Sequence, residues 1–304
     1  RCEPVFTGNL DIPKLEALLS VQKAAVVLLQ SFADGQHPFS LANLRAVRAT
    51  ADRHGLRLVL DVSRVIENAW YVQRHEAGQA ERSIADIVKQ IAKTAHVILL
   101  DGAQDPKSNT GGLLATDNPA DHEHFMNEVV LYEGLHTYGG MAGRTMEVFA
   151  RGLSEMCAED EVQWVMHQTE RFTARLREAG VPLERGCDGA YLKADEFLPH
   201  VPAYPEQALA VALYQSAAVR TIVPGRKGHD HLLPVQIPRL AMTNWQLDQV
   251  ADAVIFLYRQ REKVAPLDVE ADSPWNDQLR FRSVYADLAT YEFDCYPFVI
   301  HTIE

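Results

Sequence analysis

A chain of 304 residues, 47% of them hydrophobic, carries enough apolar side chain to bury one large core or two ordinary ones. Its formal net charge of -12, with no Lys/Arg run, excludes a nucleic-acid or anionic-membrane surface, because either needs clustered cations, and leaves small molecules or other proteins as partners. The four cysteines, Cys2, Cys157, Cys187 and Cys295, form no CxxC pair and no apolar run approaches the ~20 residues of a spanning helix, so zinc knuckles, a disulfide framework and membrane insertion are not indicated and a reducing, cytoplasmic setting is expected.

In chain order, "AAVVLLQ" (24–30) is a continuous Val/Leu run of the kind expected for a strand covered on both faces. Ser40 can cap a helix over "LANLRAVRATADRH", and Gly55 follows as its stop. A strand "LRLVLDV" (56–62), a loop at 76–82, a helix "SIADIVKQIAKTA" and a strand "HVILLD" (96–101) come next. Strand, helix, strand, helix, strand implies a parallel sheet whose ligands sit at the carboxyl ends of the strands. Asp61 and the turn from Asp101 occupy those ends.

Beyond Gly112 the pattern becomes helical, over roughly 119–131, 142–157 and 160–178. Short strands "GAYLKA" (189–194) and "HLLPVQIPRL" (231–240) then frame helices "PEQALAVALYQSAA" and "NWQLDQVADAVIFLYRQREKV". The expected organisation is an α/β domain over 1–157 and a smaller α+β domain over 158–304.

Several side chains could carry chemistry. Asp61 ends an apolar strand with Arg64 three residues on; an acid there can hold a cationic ring nitrogen or a metal, or simply cap a loop. His122 and His124, in "HEH", fall on different faces of a helix and read as a solvated surface. His229 and His231, in "HDH", could share one side of a strand, but two ligands without a third make no metal site. "YGG" at 138–140, followed by Arg144, is either a plain helix start or an anion seat. Ser31, Ser63 and Cys187 have no neighbouring His in a nucleophile-elbow context, which gives hydrolase chemistry little support.

The pieces "FTGNLDIPKLEALL", "GQHPFSLANLRAVR", "LDVSRVIENAWYV", "SIADIVKQIAK", "NTGGLLA", "LYEGLHTYGGMAGRTMEVFARGL" and "YPEQALAVALY", in this order over residues 6 to about 265, resemble the tryptophanase and tyrosine phenol-lyase family of β-eliminating lyases. The resemblance implies the type I fold of pyridoxal phosphate (PLP) enzymes: part of a large domain with a mostly parallel sheet, then a small α+β domain. It also implies homo-oligomers, an amino-acid-like substrate and PLP. "LDVSR" matches the family's strand "YDATR", so Asp61 takes the place of the Asp that pairs with the PLP ring nitrogen, and Arg64 that of the Arg near the ring's phenolic oxygen. Ser31 aligns with the Asn that touches the ring.

Other positions depart from the pattern. The family's S-x-K-K-D turn aligns with "DGAQD", which puts Ala103 and Gln104 in place of the two lysines, the second of which forms the Schiff base. Asp101 replaces a phosphate-holding Ser, and Pro234 replaces the Arg that holds the substrate carboxylate. The loop that cradles the phosphate belongs to the N-terminal part of the family's large domain, which the sequence, starting at Arg1 without an initiator Met, is expected to lack as a processed chain or a fragment. A glutamine amide is neither nucleophilic nor basic, so ordinary elimination is expected to fail and PLP to bind, if at all, without the usual internal aldimine. Three readings follow. The chain is a pseudoenzyme or partner subunit; or a repurposed enzyme holding PLP non-covalently; or a lyase in which Lys107 has taken over the Schiff base. His136 is the candidate base near the reacting carbon, with a surface loop histidine as the plain alternative. From about Tyr285 an aromatic-rich extension, read as a strand over the small domain, departs from the family's ending.

Overall fold

The computed structural model describes residues 5–31, 36–221, 231–271, 280–282 and 288–292. The chain divides into two compact units, Arg1–Met166 and His167–Glu304, a division further along than the 157/158 boundary expected from sequence texture.

The first unit contains α1 (Ile12–Val21), β1 (Val26–Gln30), α2 (Leu41–Arg53), β2 (Arg57–Asp61), α3 (Val65–His75), α4 (Ile84–Thr94), β3 (Val97–Asp101), β4 (Gly112–Thr116), α5 (Pro119–Tyr132) and α6 (Gly143–Glu155). Strands β1, β2 and β3 pair in parallel, as the alternation of strand and helix predicts, and β4 folds back antiparallel on β3. The caps are those the sequence offers: the Ser40 hydroxyl accepts from Asn43 N–H at 3.1 Å, and Gly55 turns left-handed at φ +67°. The Glu76 carboxylate also accepts from Leu41 and Ala42 N–H at 2.7 and 2.8 Å, an acid at the positive end of α2. Ile84, Ile87 and Ile91 recur at helical spacing and bury one face of α4, while Leu41, Leu44 and Val47 of α2 and Leu58 and Leu60 of β2 are closed to solvent.

Two expectations need correction. Strand β1 is not covered on both faces: Val27 is buried, but Val26 and Leu28 are 47% and 63% exposed. It is an edge strand, and alternation carries those two side chains to a face of the sheet that is open among the described residues. Helix α3 has no counterpart in the sequence reading. Its residues from Val65 to Val72 are all buried, Glu67 and Asn68 included, although apolar Val65, Ile66, Ala69, Trp70 and Val72 recur at helical spacing in the sequence. Asn68 is satisfied there by Phe39, accepting from its N–H at 2.9 Å and donating to its carbonyl at 3.0 Å.

The long helix α7 (Glu159–Glu178) carries the chain into the second unit, where β5 (Leu183–Arg185), β6 (Gly189–Lys193) and β7 (Leu232–Gln236) form an antiparallel sheet in that order. Around it lie α8 (Ala194–Phe197), α9 (Pro205–Ala217) and α10 (Asn244–Arg259), with a short pair β8 (Asp268–Ala271) and β9 (Arg280–Arg282). Leu192, Phe197, Leu209, Leu213, Leu233 and Val254 form its core. Residues 288–292 of the extension are not strand, in contrast to expectation. They are tied down by Tyr291 N–H donating to the Ser216 carbonyl at 2.6 Å and by reciprocal bonds between Ala289 and Gln260. Among the described residues, no helix is long and apolar enough to cross a membrane.

Two measurements probe this packing. A Cβ on Gly152 of α6 would lie 1.9 Å from the Pro106 carbonyl oxygen, a backbone atom that cannot step aside, so Gly152→Ala should lower the unfolding free energy by about 1–3 kcal/mol in a denaturant titration. Glu16 of α1 hydrogen-bonds Arg53 and His54, and those two partners, Arg53 first, hold its carboxyl down to about 2 from 4.5. A depressed carboxyl stabilises the fold above its unfolded value and loses that contribution as pH falls. The wild-type melting temperature should therefore drop more steeply than that of Glu16→Gln between pH 4.5 and 2, by differential scanning fluorimetry at low salt.

Candidate active site at the strand ends

The carboxyl ends of β1, β2 and β3 come together because the strands are in register: Gln30 faces Asp61, and Asp61 faces Leu99. Asp101 lies two residues beyond Leu99, so alternation puts it on the same face of the sheet as Asp61, roughly 8 Å away from strand spacing and rise alone. Each aspartate ends its strand in the same way. Asp61 Oδ1 accepts from Ser63 N–H at 2.9 Å, and Asp101 Oδ1 accepts from Ala103 N–H at 2.9 Å, the local turn that a short acid side chain makes with the backbone two residues on.

Ser63 joins the two ends. Its hydroxyl accepts from Asp101 N–H at 2.8 Å, and its carbonyl accepts from Asp105 N–H at 3.2 Å. Asp105 is 0% exposed, and its Oδ2 accepts from Ile66 N–H at 2.9 Å in the first turn of α3. Arg64, which precedes that helix, supplies no side-chain cap, so the carboxylate of a distant turn does so instead. A helix N-terminus behind a parallel strand is a ready seat for an anion. Here Asp105 already fills it.

The turn from Asp101 to Gly111 is closed on itself. Gly102 N–H donates to the Gly111 carbonyl at 2.9 Å, and Ser108 N–H to the Gly102 carbonyl at 2.8 Å. Within it Gln104 is engaged at both backbone ends: its N–H donates to the Asp101 carbonyl at 3.3 Å and its carbonyl accepts from Lys107 N–H at 3.0 Å. Lys107 has a left-handed backbone, φ +58°, and its ammonium pairs with Glu161 at the start of α7. A Cβ on Gly102 would meet the Gly111 carbonyl at 2.8 Å and Phe149 of α6 at 3.0 Å, so the turn is packed against α6 as well as bonded.

The remaining candidates scatter. Ser31 donates its N–H to the Asp61 carbonyl at 2.7 Å, and its hydroxyl is buried with no hydrogen-bond partner among the described residues. Arg64 is half-buried at the start of α3. His136 is exposed in the loop between α5 and α6, and His122 and His124 are exposed on α5. Gly139 and Gly140 have positive φ and Arg144 is exposed in the first turn of α6. His231 lies 3.1 Å from a Glu206 oxygen, while His229 and Asp230 fall outside the described residues. Pro234 pairs with Tyr191 in the second unit's sheet. Among the described residues no group of three His, Cys, Asp or Glu side chains could hold a metal ion.

The family model for β-eliminating lyases matches residues 2–252. The chain belongs to the β-eliminating lyase family. A tyrosine phenol-lyase of Symbiobacterium thermophilum is 35% identical over 292 residues, covering 88% of this chain and 64% of that protein. A tryptophanase of Salinibacter ruber is 33% identical over 292 residues, covering 90% and 62%. The chain thus spans less than two thirds of the length of the curated relatives it matches. A solved serine palmitoyltransferase of Sphingomonas wittichii superposes with a TM-score of 0.55 at 15% identity, covering 84% of this chain and 60% of that one, a likeness of fold that agrees with the expected PLP type I architecture.

Within this family member, Ser63, Asp105 and Glu161 are the residues that sequence reasoning missed. Ser63 was weighed only as a nucleophile, although a serine two residues after a strand-ending aspartate is itself a turn signal. Asp105 and Glu161 gave no local signal, since each acts on a residue far away in the chain. If Asp105 serves as the missing cap of α3, Asp105→Ala should lower the unfolding free energy by about 1–3 kcal/mol, because a buried N–H is left without an acceptor, and Asp105→Asn should cost less. Equal losses for the two variants in urea titrations would remove that role.

Proposed function

We propose that this β-eliminating lyase family protein does not carry out the family's elimination and that it acts as a non-eliminating homologue or partner subunit. The observation that carries the reading is Gln104. It stands where the resemblance assigns the lysine, in a turn fixed by hydrogen bonds at both of its backbone ends, and its amide can neither attack a carbonyl carbon nor accept a proton from a substrate carbon. Lys107 makes a poor replacement, since its ammonium is already engaged by Glu161. His136 is exposed and His231 faces Glu206, and neither adjoins the strand ends in sequence.

The donor set agrees with PLP at one end and disagrees at two. A carboxylate at the end of β2 is the group that keeps a ring nitrogen protonated, and Asp61 is held through Oδ1 by Ser63 N–H. Against this, the Gln104 amide cannot bond covalently to the cofactor, and the Asp101 carboxylate would repel a phosphate dianion while Asp105 occupies the N-terminus of α3. When bound in such enzymes PLP serves as an electron sink. The residues present do not fit it in the covalent, phosphate-anchored form. Asp61 favours a second reading for the same strand ends: non-covalent binding of a cationic ring or an amino-acid-like molecule, with Ser31 bonded to the Asp61 carbonyl and Arg64 three residues on in the chain.

Intact mass before and after incubation with PLP and borohydride tests the first reading. An unchanged mass is expected for the wild type and a reduced adduct for Gln104→Lys. An adduct mapping to Lys107 of the wild type would overturn the proposal and restore the lyase reading. Release of phenol from tyrosine, or of indole from tryptophan, by the wild type would do the same.

A further inference from the structure

We propose that Ser63 is the positioning residue of the strand-end site: by binding the ends of β2 and β3 at once, it sets the direction of the Asp61 carboxylate and the height of the 101–105 turn that carries Gln104. The inference rests on the reading of Asp61 as the group that meets a ligand.

Three bonds converge on this one residue. Its N–H fixes Asp61 Oδ1 at 2.9 Å, its hydroxyl takes Asp101 N–H at 2.8 Å, and its carbonyl takes Asp105 N–H at 3.2 Å. Only the hydroxyl bond depends on the side chain, and it extends the tie between the strands past the backbone bond from Val62 N–H to the Leu99 carbonyl at 2.7 Å. It is also a bond the sheet cannot supply. The parallel ladder between β2 and β3 ends with Asp61 opposite Leu99, so the Asp101 N–H lies past the last paired residue. On its other side Asp101 pairs with Gly112 of β4. Without the Ser63 hydroxyl, an 8% exposed side chain, the end of β3 loses its tie to β2 at the point where the turn begins. An aspartate one strand away would then hold its carboxylate beside a turn that has lost one of its ties to the end of β2, which is a loss of preorganisation, not of a ligand contact.

The test uses the full chain and two variants, Ser63→Ala and Ser63→Thr, with two readouts that fail independently. Hydrogen exchange at the Asp101 amide should accelerate about tenfold in Ser63→Ala, the upper range for loss of one neutral hydrogen bond, and return to the wild-type rate in Ser63→Thr, which keeps the hydroxyl. Exchange in α4 and in the second unit should not change, and the far-ultraviolet spectrum should be that of the wild type. Binding of pyridoxal, followed by its absorbance in equilibrium dialysis, should weaken by a similar factor in Ser63→Ala and recover in Ser63→Thr. An Asp101 amide whose exchange is unchanged in Ser63→Ala overturns the positioning role whatever binds. A wild type that binds no pyridoxal while the exchange effect is present overturns the ligand reading of Asp61 and leaves the tie between the strands standing. Weaker binding in Ser63→Thr equal to that of Ser63→Ala would mean a steric effect and would also overturn the proposal.

Discussion

The hydrogen bonds that the Ser63 hydroxyl accepts from Asp101 N–H and the Asp105 carboxylate accepts from Ile66 N–H hold the strand ends of the first unit together. They join the segment running from the end of β2 into α3 with the turn after β3, two separate stretches of chain. Because Ser63 and Asp105 are almost closed to water, each polar atom there either finds its partner or bears the full cost of desolvation. The arrangement is therefore close to all or none. Gly102 and Gly152 serve the same constraint from the packing side: Gly152 lets α6 approach the turn's backbone at Pro106, and Gly102 leaves room for the Phe149 ring of α6.

That constraint also determines the electrostatics of the strand ends. In many α/β proteins the helix behind the strand presents free N–H groups to an anionic ligand. Here Asp105 supplies the anion from within the fold, and Asp61 and Asp101 add two carboxylates on one face of the sheet. Their negative charge favours a cationic group and opposes a phosphate, while Gln104 brings neither charge nor nucleophile.

The second unit is held by other means. Bidentate pairs Arg171 to Asp248 and Arg175 to Asp252 repeat four residues apart on both helices, so α7 and α10 are matched along one turn of each. These pairs are partly exposed and contribute modestly; the buried cluster around Phe197, Leu213 and Val254 does more. Tyr291 rests its ring 5.6 Å from that of Phe256 on α10 and its backbone against Ser216 of α9, which gives this part of the extension a place on the unit's surface.

The sequence by itself determined the parallel strand–helix alternation, the caps at Ser40 and Gly55 and the strand-end position of Asp61, because each is written in local spacing or in a residue's own chemistry. It could not show the burial of Glu67 and Asn68 in α3, polar residues whose surroundings are set by tertiary contacts, nor the open face of β1, since an apolar run looks the same whether or not another layer covers it. The roles of Ser63, Asp105 and Glu161 belong to the tertiary structure alone. Each pairs with a group between 38 and 54 positions away, and a hydrogen bond over that separation exists only after the sheet has brought the strand ends side by side.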